Sequence, residues 1–124
     1  MMTTPGTACS EGKIVNTTRQ TIIAKHIIVA ASTAERMRGL LDRESINPQE
    51  ALIITNCKSI HMFFMKFAID VIFVDKAHKV VGLCPNIKPF ELSPIFWQAS
   101  QAIELPTGTI AQTSTHLNDQ LTIN

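Results

Sequence analysis

The run Thr21-Ile-Ile-Ala-Lys-His-Ile-Ile-Val-Ala30 carries six β-branched side chains in ten residues. Such side chains crowd the preceding turn of a helix and pack well on an extended, pleated backbone, so the run reads as a strand. It is apolar on both faces except at Lys25 and His26, and alternation therefore does not fix which face it buries. The bias is general: 16 Ile, 6 Val and 13 Thr make 35 β-branched residues among 124. A chain with this much preference for extended backbone is expected to be mainly β.

Turn signals cut the rest into short pieces. Residues 13–16 read as a short strand, 17–20 as a turn, and 51–55 as a short buried strand. Residues 60–66 and 69–75 form a strand-rich block, and 69–75 is expected to pair with 79–83 across a short polar connection as a hairpin. Phe63 and Phe64 then point to opposite faces of a covered strand. Pro85, Pro89 and Pro94 mark an irregular segment, because proline cannot donate to a ladder. Phe90, Ile95, Phe96 and Trp97 are expected to anchor that segment by burial. Strand resumes over 98–105, with a turn at 106–108, a helical turn over 109–115, a turn at Asn118-Asp119 and a last strand over 120–123.

One segment changes character. Ser32 and Glu35 have capping-box spacing, and Ala34, Met37, Leu40 and Leu41 then form one apolar stripe over 32–41. Gly39 inside this helix implies close packing on a sheet. The expected fold is a small β-sandwich or partly closed barrel of about eight short strands with one short α-helix. Residues 1–12, polar and rich in Thr, Gly and Ser, read as a flexible tail, and 13–124 as a single domain.

Charge and cysteine usage exclude several classes. Eleven basic against ten acidic residues leave a net charge of +1, without the basic excess of a nucleic-acid binder. The most apolar stretch, 22–31, is broken by Lys25 and His26 and falls short of a membrane span. No signal-peptide pattern opens the sequence. Three cysteines without regular spacing argue against a disulfide framework, so the expected compartment is the cytoplasm.

Four motifs in order carry a family resemblance: Arg38-Gly39-Leu40, Met65-Lys66 with Asp70-Val71-Ile72-Phe73, Val80-Val81, and Glu104-Leu105-Pro106-Thr107-Gly108. Over residues 22–123 the chain resembles the bacterial and archaeal family known as domain of unknown function 192. The resemblance implies a mainly-β, sandwich-like fold and no established activity, so it carries over no catalytic residue. Two departures stand out. The family's Asp-Gly hairpin turn is Ala77-His78 here, and its late Gly-Asp is Asn118-Asp119. Each removes a glycine where positive φ is convenient, although Asn tolerates it.

The candidate chemistry lies in charges set within apolar strands. Asp70 shares parity with Ile72 and Val74, and Glu104 sits between Ile103 and Leu105. Charges so framed are buried only when paired, so both carboxylates are expected to be substantially buried and at least one of them hydrogen-bonded to Arg38, Lys66 or backbone amides. Arg38, Lys66, Asp70 and Glu104 are the candidate ligand-binding set, Arg38 being able to grip a carboxylate or phosphate bidentately. Cys57, His61 and Cys84 are the residue types of a zinc site but lack paired short spacings and a fourth ligand. No cofactor is expected. The favoured function is a non-catalytic binding or accessory module for a small polar ligand or a protein partner. The alternative is a small hydrolase-like enzyme built on Arg38, Asp70 and Glu104.

Overall fold

The computed structural model describes residues 7–10, 12–31 and 43–124. The expected helix over 32–41, with Arg38 and Gly39, lies outside the described residues. The elements are β1 (Thr7–Ser10), β2 (Ile14–Asn16), β3 (Thr21–Ala24), β4 (His26–Ala30), β5 (Glu50–Thr55), β6 (Ile69–Val74), β7 (Val80–Ile87), β8 (Gln101–Pro106), α1 (Thr109–Gln112) and β9 (Leu121–Ile123). They build a six-stranded sheet in the order β1-β4-β5-β8-β6-β7 and a three-stranded sheet in the order β3-β2-β9. The β4–β5 pair is parallel and the other pairs are antiparallel. Among the described residues no closed barrel forms, and the mainly-β, sandwich-like expectation stands.

The run 21–30 is not one strand. Its first half, β3, belongs to the small sheet and its second half, β4, to the large one. The switch falls at Lys25 and His26, the two polar residues of the run, whose amides both donate to the Gln49 carbonyl at 2.8 and 3.0 Å. A strand that changes sheets needs a bend, and the bend needs a partner for the amides it frees. Residues 7–10, expected as tail, instead form the edge strand β1 against β4.

Strands β5, β6 and β8 carry the core on both faces. Every residue of β6 is buried, as are four successive residues in each of β5 and β8. That explains why these segments read as continuous apolar runs. On one face Ile53, Ile103, Ile72 and Val74 pack against Ile14, Ile23 and Leu121 of the small sheet and Ile110 of α1. On the other, Leu52, Ile54, Val71 and Phe73 are covered by Ile60, Met62, Met65, Phe96 and Ala99. Burying one such side chain contributes about 1.5–3 kcal/mol.

The β6–β7 hairpin forms as expected. Asp75 Oδ1 accepts the Ala77 and Lys79 amides at 2.9 Å each. His78 (φ 63) and Asn118 (φ 72) occupy left-handed backbone at the two places where the family has glycine. Strand β7 continues through Pro85, where the sequence suggested irregular chain. It lies at the sheet edge, and its register with β6 shifts there, so the missing N–H is tolerated.

Residues 60–66 do not form a strand. Their backbone pairs irregularly with 90–96: Met62 N donates to the Glu91 carbonyl at 2.9 Å, Phe90 N to Met62 at 2.8 Å and Ser93 N to Ile60 at 3.0 Å. Ile60, Met62 and Met65 are buried while Phe63 and Phe64 are exposed. The two phenylalanines therefore do not face opposite sides of a covered strand. The segment 88–97 is likewise not anchored as expected. Phe96 alone is tucked in, its ring 4.6 Å from Phe73 and packed so closely over Gly82 that a Cβ there would meet it at 2.5 Å. Phe90, Ile95 and Trp97 are exposed.

Candidate functional site

Asp70 is buried and fully occupied by the fold. Its Oδ1 accepts the Asn86 amide at 2.8 Å, and its Oδ2 accepts the Ile110 amide at 2.9 Å. The first bond secures the β7 bulge at Asn86, which stands at φ 51. The second caps α1, whose N-cap Gly108 has no side chain to do so. A carboxylate accepting two amides is held by charge-assisted bonds and has little freedom to bind anything else.

Glu104 is also buried but stands elsewhere. Opposed residues on neighbouring strands share a face, and successive residues alternate. Asp70 opposes Leu105 and Glu104 opposes Val71, so the two carboxylates leave the sheet on opposite sides. Asp70 faces α1 and the small sheet. Glu104 lies in the row Leu52–Glu104–Val71 under the loop-covered face. Lys66 is exposed, and Arg38 lies outside the described residues. The hydrolase-like alternative built on Arg38, Asp70 and Glu104 fails on this geometry, because a single substrate cannot reach both sides of a central strand pair.

The cysteine–histidine set is not assembled either. Among the described residues no three His, Cys, Asp or Glu side chains approach closely enough to hold a metal ion, so Cys57, His61 and Cys84 do not form one cluster. Cys57 Sγ donates to the Ser59 carbonyl at 3.1 Å. Burial pushes the Cys84 thiol up, which favours its protonated form. The His61 ring stacks on Phe63 at 4.9 Å.

What the fold does assemble is a groove at one end of the large sheet. A cavity of about 590 Å³ lies where β5 and β6 end and β8 begins, lined by Asn56, Asp75, Lys76, Trp97, Gln98 and Ser100 among others. Trp97 is 74% exposed, the most exposed large apolar side chain among the described residues. Its loop is fixed from beneath: Lys58 Nζ donates to the Trp97 and Ala99 carbonyls at 2.8 and 2.9 Å. The Phe96 amide bonds the Lys58 carbonyl at 2.8 Å. Asn56, Lys76 and Gln98 are exposed, so their polar groups are available to a ligand. A second cavity of about 490 Å³ includes Thr21, Thr109 and Thr113, but their hydroxyls already bond backbone carbonyls.

Comparison with known proteins supplies the family. The family described as Uncharacterized ACR, domain of unknown function 192, matches residues 14–123. The chain belongs to this family. A UPF0127 protein of Thermococcus sibiricus is 30% identical over 112 residues, covering 87% of this chain and 72% of its own. A Novosphingobium aromaticivorans protein of unknown function superposes with a TM-score of 0.71 at 18% identity, covering 92% of this chain and 84% of that one. A Sinorhizobium meliloti protein named for a proposed role in transcription regulation superposes with a TM-score of 0.73 at 15% identity, covering 94% of each. At these identities the two structures share the fold of this domain of unknown function 192 protein and nothing finer. No long apolar helix capable of crossing a membrane occurs among the described residues.

The groove was missed in the sequence because its residues come from three separated turns, none with a motif. The available signal was Trp97-Gln98, a lone tryptophan beside a polar residue in a proline-broken stretch, where burial was the wrong default.

Proposed function

We propose that the protein is a non-catalytic binding module for a small polar ligand seated in the Trp97 groove. The observation that carries this reading is the pairing of a protruding indole with polar groups from Asn56, Lys76 and Gln98 around a concavity of about 590 Å³. A flat apolar ring face with a polar edge suits a sugar or a planar heterocycle, which stacks on the indole while its polar edge takes hydrogen bonds. Binding rather than catalysis is favoured because Asp70 is committed to two backbone amides and Glu104 lies on the other face. The cytoplasmic expectation, which rests on three cysteines without regular spacing, travels with this reading.

Trp97 is the only tryptophan in the chain, so its fluorescence reports the groove directly. A library of monosaccharides, nucleosides and their phosphates, screened by thermal shift, is expected to yield ligands that raise the midpoint and quench or shift Trp97 emission. In Trp97→Ala the same ligands are expected to lose about tenfold or more in affinity, equivalent to about 1.4 kcal/mol. Hits that stabilise Trp97→Ala as well as wild type would remove the groove from the account.

A further inference from the structure

Phe64 and Phe90 both hold left-handed backbone, at φ 65 and φ 69. Bulky side chains rarely do so, and the conformation persists only where surrounding structure enforces it. Burial does not repay the strain here: Phe64 is 67% and Phe90 65% exposed. Their rings meet edge to face with centroids 6.4 Å apart. The two loops that carry them are laced together by the Met62–Glu91 and Phe90–Met62 backbone bonds and by a bridge between His61 and Leu92. Leu92 is 66% exposed, and Phe63, stacked on His61, is 41% exposed. Phe64 and Phe90 each stand third in a closed turn, with Met65 N donating to the Met62 carbonyl at 3.3 Å and Glu91 N to the Lys88 carbonyl at 3.0 Å, and these turns hold four large apolar side chains outward on a cross-braced tip that the fold does not bury.

We propose that this tip, formed by Phe63, Phe64, Phe90 and Leu92, docks on the interfacial layer of an anionic lipid surface. Two features favour a lipid surface over a protein partner. Phe64 and Phe90 protrude at about two-thirds exposure, and a fluid acyl boundary accepts separate apolar tips without shape complementarity. The flanking charge is also cationic. Lys66 and Lys88, each two residues from a left-handed phenylalanine, are exposed against one exposed carboxylate, Glu91, whose Oε1 accepts the Lys88 amide at 2.6 Å, so two positive charges face one negative. Apolar insertion beside cations is the combination that anionic headgroups attract. The contact lies on the surface and does not cross it, and it is independent of the Trp97 groove.

The test is cosedimentation of the full chain with vesicles of phosphatidylcholine alone and of phosphatidylcholine mixed with phosphatidylglycerol. Wild type is expected to bind the mixed vesicles and to lose most of that binding at high salt. Joint replacement Phe64→Gly and Phe90→Gly is expected to reduce partitioning about tenfold or more while the thermal midpoint stays level or rises, because glycine relieves positive φ. Leu92→Ser, which leaves the backbone unaltered, is expected to weaken binding in the same direction if the double variant fails to fold. Lys66→Gln with Lys88→Gln is expected to abolish the preference for the anionic vesicles. Wild type that ignores both vesicles, or glycine and serine variants that bind as wild type does, would overturn the proposal. So would concentration-dependent self-association without lipid that the Phe64→Gly, Phe90→Gly variant loses, which would assign the tip to a second copy.

Discussion

The two faces of the large sheet bear backbone strain differently. On the face that meets the small sheet and α1, the positive-φ positions include Gln20, His78, Asn86, Ser114 and Asn118, polar residues at turns where hydrogen bonds are made. Asp70 and Asp119 tie these turns down. Asp119 Oδ2 accepts from Asn16 Nδ2 at 2.9 Å, Arg19 Nε at 3.0 Å and the His116 amide at 2.9 Å. On the loop-covered face the strained residues include two exposed phenylalanines, Phe64 and Phe90. Strain that buys internal hydrogen bonds explains itself as structure. The Phe64 and Phe90 turns are closed by backbone hydrogen bonds too, so the faces differ in the side chain carried there, polar and tied down on one and apolar in water on the other, and the lesson is to look for function where large rings are left outside.

The largest effect expected from breaking the polar face is at Asp70. In Asp70→Asn the amide nitrogen opposes a backbone N–H that has lost its acceptor. Denaturant melts should show a loss of about 3 kcal/mol, the scale of a severed buried charge-assisted bond. A loss below about 0.5 kcal/mol would mean the capping role is dispensable.

The next effect is pH dependence at Asp119. Burial alone would raise its carboxyl, but the bonds from Arg19, Asn16 and His116, with the Arg19 charge, outweigh burial and lower it from 3.8 to about 2. A depressed carboxyl contributes stability that is fully present above its unfolded value and lost as pH falls toward its folded one. The advantage of wild type over Asp119→Asn should therefore hold from pH 7 to about 4, then shrink by about 2 kcal/mol on approach to pH 2. An advantage that stays constant through that window would exclude the clasp. The smallest effect is at His78, where the family's glycine is missing. His78→Gly should stabilise the hairpin by about 0.5 kcal/mol, relief of positive φ being partly offset by glycine's extra chain entropy. A destabilised variant would show that the imidazole makes a contact worth more than the strain.

Much of the fold was legible. The β-branched runs became β5, β6 and β8, the polar connection after Val74 became the hairpin, and Asn118-Asp119 became a turn, because each rests on local backbone preference. The burial of Asp70 and Glu104 was legible for the same reason: their neighbours are all core residues. The errors share a cause. The run 21–30 looks like one strand because nothing within it says that Gln49, some twenty residues away, will catch two amides and turn the chain between sheets. Residues 60–66 look like a strand because Phe and Met are good strand residues. Their pairing with 90–96 and the φ of Phe64 are decided by distant chain.

The candidate site was the least legible part. Sequence parity put Asp70 and Glu104 each in an apolar strand, but which faces they share depends on the β6–β8 register, a relation between segments about thirty residues apart. Likewise, Trp97 and Phe90 are apolar, and composition alone favours burying them. Only the tertiary structure decides otherwise, since Phe96 takes the space over Gly82 beneath the loop and leaves the rings beside it outside. The sequence by itself determined where the chain extends and where it turns, because those preferences are local. Which strands pair, in what register, and which apolar side chains remain in water were settled by long-range packing, because the free energy of a buried side chain depends on what lies across from it.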